Sequence, residues 1–364
     1  MLNYGIANSS NTIDRLSRSF QATILSRKDH MYLINDLVQS YLNVTKVPLR
    51  LSVLPGLLFL FSMSTINQTT AQTTNKMLIQ SDQDDCLEQK IEGMACIPKG
   101  EFIRGSEAER TCKQGEVKRI PAQAPNHRPV SKIDMPTYYM DLSEVTYSAY
   151  QACVRKKKCP KRRPAYSDFS AAQQPMVGLS WYEAFTYCRA MGKHLPTEAE
   201  WEKAARGSQG ELYPWGNDEP NCKLAVIKDK SGRSCGVKKR FTYHNKGKVL
   251  PVKSRPPGRY GLYDMIGNAE EWTADWYTRD WAKCGEDCAG FNPQGPCPKQ
   301  SPKQGCKGHR KKVVRGGSWY WPKACARSWT RRPHYPSNKP YHHFGFRCAA
   351  SLAEAQTLPK LKSK

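Results

Sequence analysis

The sequence predicts an α+β fold with little regular secondary structure, held partly by disulfides. Three observations lead there. Two helices carry their own start and stop signals. Short apolar segments are broken throughout by 25 glycines and 25 prolines, and 14 cysteines all lie at or beyond residue 86. A chain of 364 residues allows one large domain or two ordinary ones. With 39% hydrophobic residues, 9 Trp and 18 Tyr, it is not a disordered chain. No collagen period, heptad repeat or array of spanning helices is present, which excludes fibrous and multi-pass membrane classes.

Residues 1–72 read as a leader. Lys46 and Arg50 precede the apolar run 51–63, and small and polar residues follow, ending at Thr69-Thr70-Ala71-Gln72. A basic flank, a short apolar core and a small residue before the cut form a secretory signal pattern, and the run is short for a bilayer span. Export to the periplasm or outside the cell is therefore expected. Membrane contact is expected only if the leader stays uncleaved as an anchor. Residues 73–92 read as a linker, 93–350 as one domain and 351–364 as a basic tail.

An even cysteine count in an exported chain reads as a disulfide framework. A four-thiolate zinc site at Cys284, Cys288, Cys297 and Cys306 is the competing reading, but their spacing fits no common zinc module. Spacing allows local bridges Cys153–Cys159 and Cys222–Cys235. The pairing of Cys86, Cys96, Cys112 and Cys325, and within the 284–306 group, stays open.

Within the domain, Ser180-Trp181-Tyr182-Glu183 is a capping box. Trp181, Ala184, Phe185 and Cys188 follow at helical spacing, and Gly192 ends the element. Thr197-Glu198-Ala199-Glu200 is a second capping box, opening a helix that runs to Gly207 and buries Trp201, Ala204 and Ala205. A third helix is expected over 146–154, and strands over 94–103 and 312–315.

The chain carries 57 Lys and Arg against 32 Asp and Glu, a formal charge of +25. Six of these cations and three of the acids lie in residues 1–71, so +22 belongs to the rest. Much of it sits in runs at 155–158, 161–163, 238–240 and 310–312. Such runs are ordinarily solvated loops, and they also suit an acidic surface or a protein or peptide partner. No nucleic-acid-binding motif accompanies them, and no nucleic-acid partner is expected.

Several blocks then resemble the formylglycine-generating enzymes, the sulfatase-modifying factors. They are Gly192-Lys193-His194-Leu195-Pro196-Thr197-Glu198-Ala199-Glu200-Trp201-Glu202, Tyr213-Pro214-Trp215-Gly216 and Tyr260-Gly261-Leu262-Tyr263-Asp264-Met265-Ile266-Gly267-Asn268. Glu271-Trp272, Asp275-Trp276-Tyr277, Arg315-Gly316-Gly317-Ser318-Trp319 and Gly345-Phe346-Arg347 continue the order. Ile97 to Phe102 and Ser143-Glu144-Val145-Thr146 precede it, so the likeness covers residues 93–350. It implies the formylglycine-generating-enzyme fold, a C-type-lectin-like variant, and a disulfide Cys188–Cys348.

The oxidases of that family hold copper(I) between two cysteines, the third and eighth residues after the serine of the Gly-Gly-Ser turn. Counted from Ser318, those positions are Trp321 and Ala326, with Cys325 one residue short of the second. A two-thiolate copper site cannot be built by that rule. Copper is not expected, and Cys325 and Ser318 remain as candidate catalytic residues of the turn. The resemblance also implies calcium at Asp264, Gly267, Ala269 and Glu271, two carboxylates and two backbone carbonyls suited to a hard cation. The family's other calcium site is not reproduced at 221–226. Iron, used by the ergothioneine-type sulfoxide synthases through a further helical domain, has no counterpart here.

His342 and His343 read as a strand pair facing opposite sides. Trp319, Tyr320, Trp321 and Trp329 read as an aromatic cluster near the cleft, some of it core and some lining a pocket. Three functions stand beside one another: an exported binding or scaffold module, an atypical oxidoreductase like the siderophore-maturing members, and a true formylglycine-generating oxidase with a displaced copper site.

Overall fold

Each helix begins on a side-chain oxygen that satisfies an orphan amide of the first turn. Helix α1 (Tyr147–Arg155) is capped by Thr146, whose hydroxyl accepts from the Ala149 amide. Helices α2 (Trp181–Ala190) and α3 (Glu198–Arg206) open with the two capping boxes legible in the sequence, and α3 ends at Gly207 with φ 69°. A third box, Ser351 with Glu354, starts the short α4 (Leu352–Thr357).

The computed structural model describes residues 86–88, 90–108, 126–238, 247–298, 305–337 and 342–361. All of them belong to the unit Thr73–Lys364. The leader with its apolar run 51–63, most of the linker, and Cys112 lie outside the described residues.

The expected strand over 94–103 is two strands, β1 (Met94–Ile97) and β2 (Gly100–Arg104), because Pro98 cannot donate to a ladder. Strand β3 (Ser131–Met135) pairs antiparallel with β2. Strand β4 (Tyr138–Asp141) lies between β1 and β9 (Ala349–Ser351), both antiparallel. The third sheet runs β7-β6-β5-β8: β5 (Glu270–Trp276), β6 (Lys312–Arg315), β7 (Arg332–His334) and β8 (Phe344–Gly345). Only β5 and β8 pair in parallel.

Helix α3 is buried on every side, charged residues included. Each buried charge has a partner, as low dielectric requires. Arg331 donates through Nε and Nη2 to Glu198 at 2.5 and 2.7 Å, and Arg315 Nη2 to Glu202 at 2.6 Å. Arg206 Nη1 meets the other Glu202 oxygen at 2.8 Å, and Lys203 donates to the carbonyls of Pro98 and Gly100. These pairs tie α3 to the third sheet and to the β1–β2 turn.

Disulfides join Cys86–Cys96, Cys153–Cys159, Cys188–Cys348, Cys222–Cys235, Cys284–Cys288 and Cys297–Cys306. The Cys188–Cys348 bond fastens α2 to the segment entering β9. Thiols paired in this way belong to an oxidising compartment. Among the described residues no helix is long and apolar enough to cross a membrane.

Candidate functional site

Strand β6 delivers the chain into the turn Gly316-Gly317-Ser318. Gly316 has φ 89°, and a Cβ there would meet the Met265 carbonyl at 2.9 Å; at Gly317, with φ 69°, it would meet the Cys325 carbonyl at 3.0 Å. Only glycine lets the backbone pass this close. Ser318 is fully buried, and its Oγ accepts from the Tyr320 amide at 3.3 Å, so it props the turn. The turn is pinned to the neighbouring loop: the Trp319 amide donates to the Asn268 carbonyl, and Gly267 to that of Gly316.

Beyond the turn the rings form a wall. Trp319 packs on Phe169 at 5.7 Å and on His342 at 5.6 Å; Tyr320 stacks on His343 at 5.4 Å and meets Trp321 at 4.9 Å. Tyr166, 39% exposed, meets His342 edge-on. Arg233 lies 3.6 Å from the Tyr320 ring centre and Arg332 lies 4.4 Å from that of Trp321, both cation–π contacts. Trp329 does not join this wall: its contacts are His127, Arg206 and Arg327. The two histidines occupy a turn ahead of β8 rather than a strand, which is why both rings reach the same cluster.

Behind the wall, Arg332 Nη1 donates to both oxygens of buried Glu270, at 2.6 and 2.7 Å. Burial raises the Glu270 pKa and Arg332 pulls it back. Burial, then the Arg332 charge, pushes His343 well below the ordinary imidazole range. His343 is thus neutral at pH 7, and its 3.7 Å approach to Glu270 is a packing contact rather than an ion pair.

Cys325 is buried and disulfide-bonded, and there is no free cysteine among the described residues. A disulfide sulfur has no thiolate to offer copper(I). With Trp321 and Ala326 at the two family positions, the residues present do not fit the copper site. The candidate nucleophile Cys325 is a cross-link in this structure.

The calcium positions fare differently from their sequence pattern. Glu271 spends both oxygens on neighbours: Arg347 Nη2 donates to Oε1 and Nε to Oε2, each at 2.8 Å, and Trp201 Nε1 donates to Oε2 at 2.8 Å. Asp264 Oδ2 accepts from the Lys253 amide at 2.7 Å. Gly267 is held against Val226, where a Cβ would lie 2.7 Å from its carbonyl oxygen, and the Ala269 amide donates to Glu144 Oε1. A calcium ion at Glu271 would face the Arg347 cation already neutralising it. This arrangement does not fit calcium, and Arg347 fills the charge role instead.

Glu144 and Arg347 are the parts of this cluster that site reasoning missed, although both lay within the quoted motif blocks. Burial raises Glu144 well above the carboxylate range, with Asp264 and Glu271 adding to it. Burial also raises Asp264. The cluster therefore holds protons rather than three bare charges around one arginine. A separate chamber lined by Arg104, Glu198, Asp275 and Trp281 has a volume of about 10 Å³, room for one water, and is no substrate site.

Residues 80–352 match the family model of the sulfatase-modifying factor enzyme 1-like domain. The chain belongs to this family. It is 33% identical over 200 residues to a formylglycine-generating enzyme of Thermomonospora curvata, covering 51% of this chain and 59% of that protein. It is 46% identical over 106 residues to the inactive Cα-formylglycine-generating enzyme 2 of Bos taurus, covering 28% and 33%. The chain thus spans a third to three-fifths of these relatives' lengths. Its fold matches that of PvdO from Pseudomonas aeruginosa, with a TM-score of 0.51, 23% identity and coverage of 71% of this chain and 94% of that one. The α+β, disulfide-linked formylglycine-generating-enzyme fold expected from the sequence is the fold of this protein.

Proposed function

We propose that this member of the sulfatase-modifying factor family is an exported binding module, without copper-dependent cysteine oxidase activity. One observation carries the reading: the turn that would hold two copper thiolates has Trp321, Ala326 and a disulfide-bonded Cys325 in their place. What occupies the cleft instead is a face of half-exposed rings, Tyr166, Tyr320, Trp321 and His342, edged by Arg233. Aromatic faces held by packing lose little entropy when a ligand settles on them, and an arginine at the edge favours an anionic or carbonyl-rich group. A protein or peptide is the ligand class that suits such a wall.

The absence of oxidase activity is tested directly. The air-oxidised protein is incubated with copper(I), oxygen and a sulfatase-type cysteine peptide, and the peptide is followed by mass spectrometry. No conversion of cysteine to formylglycine above the protein-free control is expected. Turnover that disappears in C325S would sink the proposal and restore Cys325 as a catalytic thiol.

A further inference from the structure

Seven of the nine residues at positions 155–163 are exposed cations, closing α1 and the loop after it. The Cys153–Cys159 bond staples the loop at its base. Inside the staple the amides of Lys156, Lys157 and Lys158 bond back to Ala152, Val154 and Cys153, and Lys157 turns the chain with φ 58°. The charges are therefore held together in a fixed turn, where they repel one another. Among the described residues a single ion pair reaches them, Arg162 with Glu183.

Folding does not account for this density. Cations at a helix C-terminus gain from the helix dipole, but only across the last turn, which leaves 161–163 unexplained. Two aromatic side chains flank the patch. Tyr166 follows the second basic run and is 39% exposed, and Tyr182, 38% exposed, sits beside Glu183 on the first turn of α2. Arginine and tyrosine set together on a rigid surface are the usual anchors of protein interfaces. A lipid surface would need only the charge and an inserting apolar group, whereas here the exposed rings carry hydroxyls.

We infer that the stapled basic loop, with Tyr166 and Tyr182, is a docking surface for an acidic peptide segment of a protein partner. The surface is distinct from the ring-lined cleft and stands whatever the cleft holds. Its preorganisation by the disulfide keeps the ordering cost of binding low.

The probe is a fluorescein-labelled poly-glutamate peptide carrying one tyrosine, titrated with the full chain and followed by anisotropy. K156E/K157E/K158E weakens binding about tenfold at 0.15 M salt, the sum of three modest surface pairs. K223E/K230E/K307E, which changes the net charge equally at exposed lysines elsewhere, weakens it less than about twofold. Melting curves check that both variants fold. Equal losses in the two variants would show that only overall charge matters and would overturn the assignment. Failure of the peptide to bind would overturn it too, as would tighter, loop-dependent binding to phosphatidylglycerol vesicles, which would make the partner a lipid surface.

Discussion

His194 joins two capping boxes, and its protonation should set the pH limit of the fold. Its Nε2 lies 3.1 Å from Glu200, the carboxylate that closes the box of α3, and Nδ1 lies 2.7 Å from Glu354, which closes the box of α4. Its amide and carbonyl pair with Ala349 at β9. Burial alone would lower the imidazole pKa, yet Glu200 and Glu354 outweigh burial and raise it to about 10. Burial likewise favours a neutral Glu354, but the His194 hydrogen bond holds that carboxylate down at about 2. The same bonds act on both partners and count once. A histidine raised from 6.5 to about 10 contributes stability that is fully present below pH 6.5 and is lost as pH rises through 10. Two charge-assisted bonds, less the cost of burying the cation, are worth about 2–3 kcal/mol. Lys312, lowered to about 7 by burial, works in the opposite direction, regaining stability above pH 7, and Asp275, raised to about 7 by burial, loses its share below that pH. The quantity to read is therefore the difference between wild type and H194Q in guanidinium melts. That difference should be about 2–3 kcal/mol at pH 6 and fall below about 1 kcal/mol at pH 10. A gap that stays constant from pH 6 to pH 10 would refute the argument, because it would assign His194 a role in packing alone.

Three further outcomes follow from the cross-links and the buried pairs. Removing the Cys188–Cys348 bond in C188A/C348A frees a loop of 160 residues, which chain entropy values at about 5 kcal/mol; a measured loss of about 3–5 kcal/mol by denaturant unfolding is expected. Replacing the carboxylate in E271Q leaves buried Arg347 without its counter-charge and should cost about 3–5 kcal/mol, while EDTA should leave the wild-type melting temperature unchanged because Arg347 already neutralises Glu271. A calcium-dependent rise in that temperature, abolished in E271Q, would reinstate the cation. Forcing a Cβ into the turn with G317A should cost about 1–3 kcal/mol through strain against the Cys325 carbonyl, read by thermal unfolding.

The helices were legible because their signals are local. Ser180 with Glu183 and Thr197 with Glu200 satisfy backbone amides three residues away, and three residues suffice to see it. The strands were legible as apolar runs but not as sheets, since β1 pairs with β4 and β5 with β8 over separations that no short pattern encodes. The ionic core was the least visible part. By spacing alone, Glu198 and Glu202 would pass for the solvated side of a helix, because what buries them lies far away in the chain: Arg331 is 133 residues from Glu198 and Arg315 is 113 residues from Glu202.

The site divides along the same line. Counting from Ser318 gave the loss of the copper pair, because a ligand either stands at a position or does not, and the disulfide at Cys325 agrees with that count. The calcium positions could not be judged by counting. Glu271 stands where the family's glutamate would, but whether a carboxylate binds a cation depends on what else has reached it. Here Arg347, 76 residues on, arrives with two hydrogen bonds and a full positive charge. A motif records which donors a loop offers, and the fold decides which of them are already taken. The stapled basic loop is the converse case. Its charges are plain in the sequence, and only the fold shows that a single carboxylate answers them and that the rest stay presented to solvent.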